Sequence, residues 1–172
     1  MPIRCFYRSI TILSRKEMSA IKLTFHHKTN LITGNNHVGK SSILTTILWT
    51  LGAEPFLAKS WKELEVFSKW TIVVGRNTYH IVRNGQRIAL FTEQGRIIKR
   101  FTNISTDLTG YFSRLFNFQL HLVDRSNRLS MPPPAFMLLP FYIDQDPGWN
   151  TIYESFNRLK QFKDYKKGCL EY

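Results

Sequence analysis

Residues 34–42 read Gly34-Asn35-Asn36-His37-Val38-Gly39-Lys40-Ser41-Ser42, a complete G-x-x-x-x-G-K-S pattern. Such a pattern works only where a buried strand runs into a glycine turn and the turn opens a helix. Thr29 to Thr33 (Thr-Asn-Leu-Ile-Thr) precede it and Ser41 to Leu51 follow it, with Ile43, Leu44, Ile47, Leu48 and Trp49 among the latter. The sequence therefore predicts a short strand over 29–33 and an apolar helix from Ser41. Backbone N–H groups of such a loop converge on phosphates, and the positive end of the helix dipole adds to them. Residues Gly34, Asn35, Asn36, His37, Val38 and Gly39 form the expected cradle of a nucleoside triphosphate. Lys40 carries its charge to the β and γ phosphates, Ser41 offers a hydroxyl to Mg²⁺, and Ser42 supports the helix start. ATP and Mg²⁺ are the expected cofactors.

The chain has 172 residues, enough for one domain with a substantial core or for half of a larger one. Its net charge of +12 is unevenly spread: residues 1–100 hold 16 Lys and Arg against 5 Asp and Glu, and residues 101–172 hold 8 against 7. A field of that sign in the first hundred residues suits a polyanion, with nucleic acid the natural candidate, while a solvated basic surface without a partner is the alternative. Aromatic residues make up 14% of the chain but sit in apolar runs, which marks them as core. The two cysteines, Cys5 and Cys169, lack metal spacing and make no disulfide framework. His26, His27, His80 and His121 are scattered in the same way. The longest apolar stretch, Ala135 to Ile143, is broken by Pro140 and is too short for a membrane span. The N-terminus is basic (Arg4, Arg8, Arg15, Lys16), yet Ile3 to Leu13 reads as a strand, so a cytoplasmic location is the expectation.

Two strands are predicted first, over Ile3–Leu13 and Ala20–His26, the second alternating Ile21, Leu23 and Phe25 with Lys22, Thr24 and His26. Glu54–Trp61 contains Pro55 and reads as a loop. A series of β signals follows: Trp70–Val74, Thr78–Val82, a turn at Asn84-Gly85, Arg87–Phe91, a turn near Gly95, and Ile97–Phe101. Together they predict an antiparallel meander. Ser105 is a candidate cap for a helix reaching Phe118, with Leu108, Phe112, Leu115 and Phe116 on its apolar side. Met131–Pro134 is a stiff extended segment. Leu138 to Trp149 reads as an apolar strand breaking into a polar turn at Asp144, Gln145 and Asp146. Thr151–Lys167 reads as a charged helical segment with Ile152, Phe156, Leu159 and Phe162 along one side.

Two readings compete for the turn. Asp144, at the end of an apolar run, has the position of a magnesium-linked acid, but Gln145 stands where a general base would follow. Alternatively, Gln145 is a neutral ligand that reaches the metal or the lytic water through its amide oxygen. The third possibility is a plain acidic turn after a buried strand.

The N-terminal strand pair, the loop with Gly34, Asn36, Gly39, Lys40 and Ser41, the β meander and the late Gln145 together resemble the first lobe of an ABC-type ATPase head of the SMC, RecF and SbcC-like family. The resemblance implies an α/β fold of mixed α+β character, a P-loop NTPase lobe with an N-terminal antiparallel β subdomain in an incomplete head. Residues 1–150 would form the lobe and 151–172 the start of a helical or coiled-coil segment. Gln145 would then be the Q-loop glutamine, a metal ligand beside Ser41. His37 departs from the Gly or Asn usual at its place, a residue less suited to positive φ. No Ser-Gly-Gly signature, no apolar strand ending in Asp-Glu and no switch His follows Gln145. No complete catalytic set is therefore expected within the chain.

In such a family ATP is held between the loop of one head and the signature of another. Hydrolysis accordingly requires a second lobe and a head-to-head dimer, or a separate C-terminal half. The resemblance implies ATP binding in DNA repair, chromosome maintenance or anti-phage defence, with DNA held non-specifically through its phosphates. Two rivals stand beside it: a non-hydrolysing remnant or regulatory module, and a small stand-alone phosphate-loop kinase or GTPase. The chain lacks a guanine-reading Asn-Lys-x-Asp and has a meander where parallel βαβ units belong, which weighs against the second rival.

Overall fold

Alternating apolar residues and well-spaced turn residues fold six segments of the first hundred or so positions into a single antiparallel sheet. The computed structural model describes residues 4–36, 39–57, 59–144, 151 and 153–172. It divides the chain into two units, Met1–Leu51 with Leu57–Thr102, and Gly52–Phe56 with Asn103–Tyr172. In the first unit, β1 (Cys5–Ser14), β2 (Ser19–Thr24), β3 (Val66–Val74), β4 (Asn77–Asn84), β5 (Arg87–Thr92) and β6 (Ile97–Phe101) pair in the order β2-β1-β3-β4-β5-β6. Every pairing is antiparallel. Helices α1 (Lys40–Thr50) and α2 (Lys59–Glu63) complete the unit.

Register decides which residues meet. Ile10 lies opposite Trp70, Trp70 opposite Ile81, and Ile81 opposite Leu90. All four are fully buried, so this row forms the centre of the unit's core. Each such side chain contributes roughly 1.5–3 kcal/mol on burial. The end of α1 is tied to this side of the sheet, where Thr50 Oγ1 donates to Ser68 Oγ at 2.6 Å. Residues one step out of register point to the other face.

The first two expected strands and those of the meander form, with β3 beginning at Val66 because Phe67 and Ser68 already pair with both neighbours. The β4–β5 turn falls one residue later than expected. Asn84 pairs with Arg87, leaving Gly85 and Gln86 as the turn, and the positive φ of 56° lies on Gly85. The strand expected at 29–33 carries no ladder: residues 25–34 have no regular structure, and Leu31 is 85% exposed. Asn30 organises this approach instead, accepting from the His26 N–H at 2.7 Å and donating to the His26 carbonyl at 2.8 Å.

The second unit is built from short pieces. A π-helical turn at Ile104–Leu108 runs into α3 (Thr109–Leu115), followed by a two-stranded ladder of β7 (Leu122–Val123) and β8 (Leu129–Ser130). Next come α4 (Pro134–Leu138), 3₁₀ turns at Leu139–Phe141 and Leu159–Gln161, and α5 (Tyr165–Glu171). Phe136 is central here, meeting the Phe162 ring at 5.1 Å and the Tyr165 ring at 5.8 Å, both edge-on.

Three expectations are corrected in this unit. The cap of the first helical segment is Asn103 rather than Ser105: its side chain accepts from the N–H groups of Ser105 and Thr106. The apolar run at Leu138 is helical up to Phe141 instead of a strand, since Pro134 supplies the preset φ of a first helical position. An apolar run this short reads equally well as strand or buried helix. Finally, the described residues from 153 to 164 form no continuous helix. Arg158 and Asp164 adopt left-handed φ values of 62° and 45°, which interrupt it, and Phe156 and Phe162 join isolated bridges to Pro55 and Asp124.

Candidate nucleotide site

The glycine loop ends where its sequence predicts. Gly39 sits at φ 86°, ψ 13°, immediately before Lys40 opens α1, and its carbonyl accepts the Ile43 N–H at 3.0 Å. A Cβ at Gly39 would meet nothing within 4 Å, so its glycine answers to backbone conformation and open space rather than to packing. No side chain caps this helix and no acid lies in its first turn, which leaves the positive end of α1 unneutralised by its own sequence.

Lys40 folds back over the loop. Its Nζ donates to the carbonyls of Gly34 at 2.8 Å and Asn35 at 2.6 Å. The ammonium is thereby held beside the same N-terminal turn that would receive an anion. Ser41 and Ser42 are exposed, and their carbonyls accept from Thr45 Oγ1 (2.8 Å and 3.2 Å), with Thr46 Oγ1 also donating to Ser42 at 2.6 Å. These residues fit a triphosphate with Mg²⁺: a left-handed glycine, an uncapped helix start, a lysine at the loop and an exposed serine hydroxyl at the second helical position. Asn36 is exposed beside them. His37 and Val38 lie outside the described residues.

The far end of α1 is anchored by residues with no motif to announce them. Arg83, on β4 and only 1% exposed, donates from Nη1 to the Trp49 carbonyl and from Nε to the Gly85 carbonyl at 2.9 Å. Its guanidinium stacks over the Trp49 ring at 4.3 Å. A cation at a helix C-terminus opposes the negative end of the dipole. Trp61 packs edge-on against Trp49 at 4.9 Å, and its Nε1 donates to Thr46 Oγ1 at 3.2 Å. The helix that starts at the glycine loop is thus gripped along its length and at its end.

Of the other candidates, Gln145 lies outside the described residues. Asp144 is 8% exposed and tied into a local network: its Oδ2 accepts from the Tyr142 hydroxyl at 2.9 Å, and its N–H donates to Ser155 Oγ at 3.1 Å. The helical turns before it remove the strand-end geometry that would make it a magnesium-linked acid. Among the described residues, no cluster of three or more His, Cys, Asp or Glu is placed to hold a metal ion. His80 bonds Thr71 Oγ1 at 3.0 Å, and Arg8 pairs with Glu93 at 3.1 Å. Among the described residues, no helix is long and apolar enough to cross a membrane.

No family model matches the chain. Over 169 residues it is 32% identical to Lamassu protein LmuB of Bacillus cereus (strain VD014), a match that takes in 96% of this chain and 29% of the relative. Along nearly all of its length, the chain is therefore similar to less than a third of a Lamassu protein.

Proposed function

We propose that the chain is the ATP-binding lobe of an SMC- or RecF-like ATPase that acts on DNA in defence against phage. The observation that carries this reading is the start of α1: left-handed Gly39, Lys40 over the loop carbonyls, exposed Ser41, and a helix terminus without its own cap. Similarity to a Lamassu protein favours defence over repair or chromosome maintenance as the setting.

In this reading, Gly34 and Gly39 let the backbone approach the phosphates, and Lys40 exchanges its two carbonyl partners for phosphate oxygens. The Ser41 hydroxyl would hold Mg²⁺, which would supply positive charge to neutralise that on the phosphoryl group. The chain's own residues thus position and neutralise, while a base and an opposing signature come from a second lobe. Two observations support such a partner lobe. Residues 29–33 carry the composition of a buried strand yet find no ladder among the described residues, and the relative extends well beyond the matched region. A sheet with only antiparallel pairings weighs against a stand-alone kinase or GTPase.

A steady-state ATPase assay on the 172-residue chain tests this division of labour. Little or no turnover is expected. Robust turnover abolished by Lys40→Ala would contradict the incomplete-head reading.

A further inference from the structure

The two faces of the six-stranded sheet differ in chemistry. One carries the core row. On the other, a single row crosses the whole sheet as Lys22, Thr11, Lys69, Val82, Ala89 and Arg100, each paired with the next. Arg87 stands on the same face, two residues before Ala89 on β5. All four cations are exposed, and the residues between them are hydroxyl-bearing, small or β-branched.

No residue of the six strands is Asp or Glu. Glu93, in the β5–β6 turn, is occupied by Arg8. Among the described residues, no carboxylate lies within ion-pair distance of Lys22, Lys69, Arg87 or Arg100. Among the described residues, these cations therefore stand in a field of one sign with no carboxylate paired to them.

We infer that this outer sheet face is a docking surface for the phosphate backbone of duplex DNA. The inference rests on the DNA-directed part of the function proposed above and does not depend on nucleotide occupancy. From β2 to β6 the cationic row crosses five strand spacings, about 24 Å in all. That span matches roughly seven base-pair steps at about 3.4 Å each. Side chains rising from a sheet face meet phosphates rather than base edges, so binding here is independent of sequence and driven by release of counterions.

The test measures the affinity of the 172-residue chain for a 30-base-pair duplex between 50 and 200 mM KCl. Four phosphate contacts give a slope near −3.6 in log K against log[salt], a loss of about 10²-fold over that range. The variant Lys22→Ala, Lys69→Ala, Arg87→Ala, Arg100→Ala is expected to flatten the slope by about 3.6. A charge-matched variant, Arg128→Ala, Arg158→Ala, Lys166→Ala, Lys167→Ala, removes cations that are already ion-paired and is expected to change it by less than 1. Circular dichroism shows whether each variant keeps its fold, and single substitutions, each expected to remove about 0.9 of slope, replace any that does not. Saturable ATP binding by the Lys22→Ala, Lys69→Ala, Arg87→Ala, Arg100→Ala variant is expected to match that of the native chain, which separates failure of this surface from failure of the nucleotide site. Equal losses in the two quadruple variants would overturn the proposal, because binding would then follow net charge alone. Absence of duplex binding at 50 mM KCl, or tighter binding to phosphatidylserine vesicles than to duplex, would overturn it as well.

Discussion

The two units handle charge in opposite ways. In the sheet unit, seven Lys and Arg residues lie within strands that contain no acid, and Arg8–Glu93 is the one ion pair found there among the described residues. In the second unit, basic residues are matched locally: Arg128 with Asp124, Arg158 with Glu54, Lys160 and Lys166 with Glu154, and Lys167 with Glu171. Exposed pairs of this kind add little stability each, but they cancel the local field. The difference is the ground on which the sheet unit, rather than the second unit, is proposed to receive a polyanion. The unit that carries the glycine loop keeps its positive field, and the other unit neutralises its own.

The contrast can be broken most forcefully at Arg83, a cation the sheet unit buries. Arg83→Met removes a guanidinium that donates to the carbonyls of Trp49 and Gly85 and leaves those acceptors without it. A loss of about 3 kcal/mol in urea unfolding is expected. A change below about 1 kcal/mol would mean that α1 does not depend on this anchor. Next come two glycines, one in each unit. At Gly52 a Cβ would lie 2.5 Å from Leu108 Cδ2 at a φ of 89°, so Gly52→Ala should cost about 2 kcal/mol. Gly39→Ala meets open space and should cost about 1 kcal/mol of strain while abolishing nucleotide binding. Reversal of that order in stability would show packing at Gly39 that the structure lacks.

Acid sharpens the comparison with a smaller effect. The Lys166 hydrogen bond, helped by Lys160, holds the Glu154 carboxyl below its ordinary 4.5, and backbone N–H bonds from Arg128 and Ser126 hold Asp124 below 3.8. A lowered folded pKa gives stability that is present above the unfolded value and is lost as pH falls through the folded one. Hydrogen exchange should show the second unit losing protection below about pH 4.5 before the strands do, since those strands contain no carboxylate to protonate. Simultaneous loss would undo the distinction. Salt should produce the smallest change: raising KCl from 50 to 500 mM should increase protection in the strands by a few tenths of a kcal/mol and decrease it slightly around Glu154.

Much of the sheet was legible because its signals are local. Alternation in Lys22–Leu23–Thr24, the glycine of the β4–β5 hairpin and the run Ile97–Phe101 each fix structure within a few residues of themselves, although the hairpin turn itself falls on Gly85 and Gln86 rather than on Asn84 and Gly85. The start of α1 was legible for the same reason, since Gly39, Lys40 and Ser41 are adjacent. Arg83 was not, because its partner Trp49 lies 34 residues away and a lone arginine in a strand carries no sign of which carbonyl it meets. The apolar run from Leu138 was read as a strand, although it is helical up to Phe141, because the length of a short apolar run does not decide its backbone. The segment before the glycine loop shows the opposite effect: its composition asks for a ladder, and the described residues supply none.

Titration calorimetry of the 172-residue chain with ATP in excess Mg²⁺, beside Lys40→Ala, decides whether the glycine loop is a nucleotide site. Saturable 1:1 binding by the native chain that Lys40→Ala weakens by tenfold or more, about 1.4 kcal/mol, is the expected result. No binding by the native chain, or equal binding by both proteins, would contradict it.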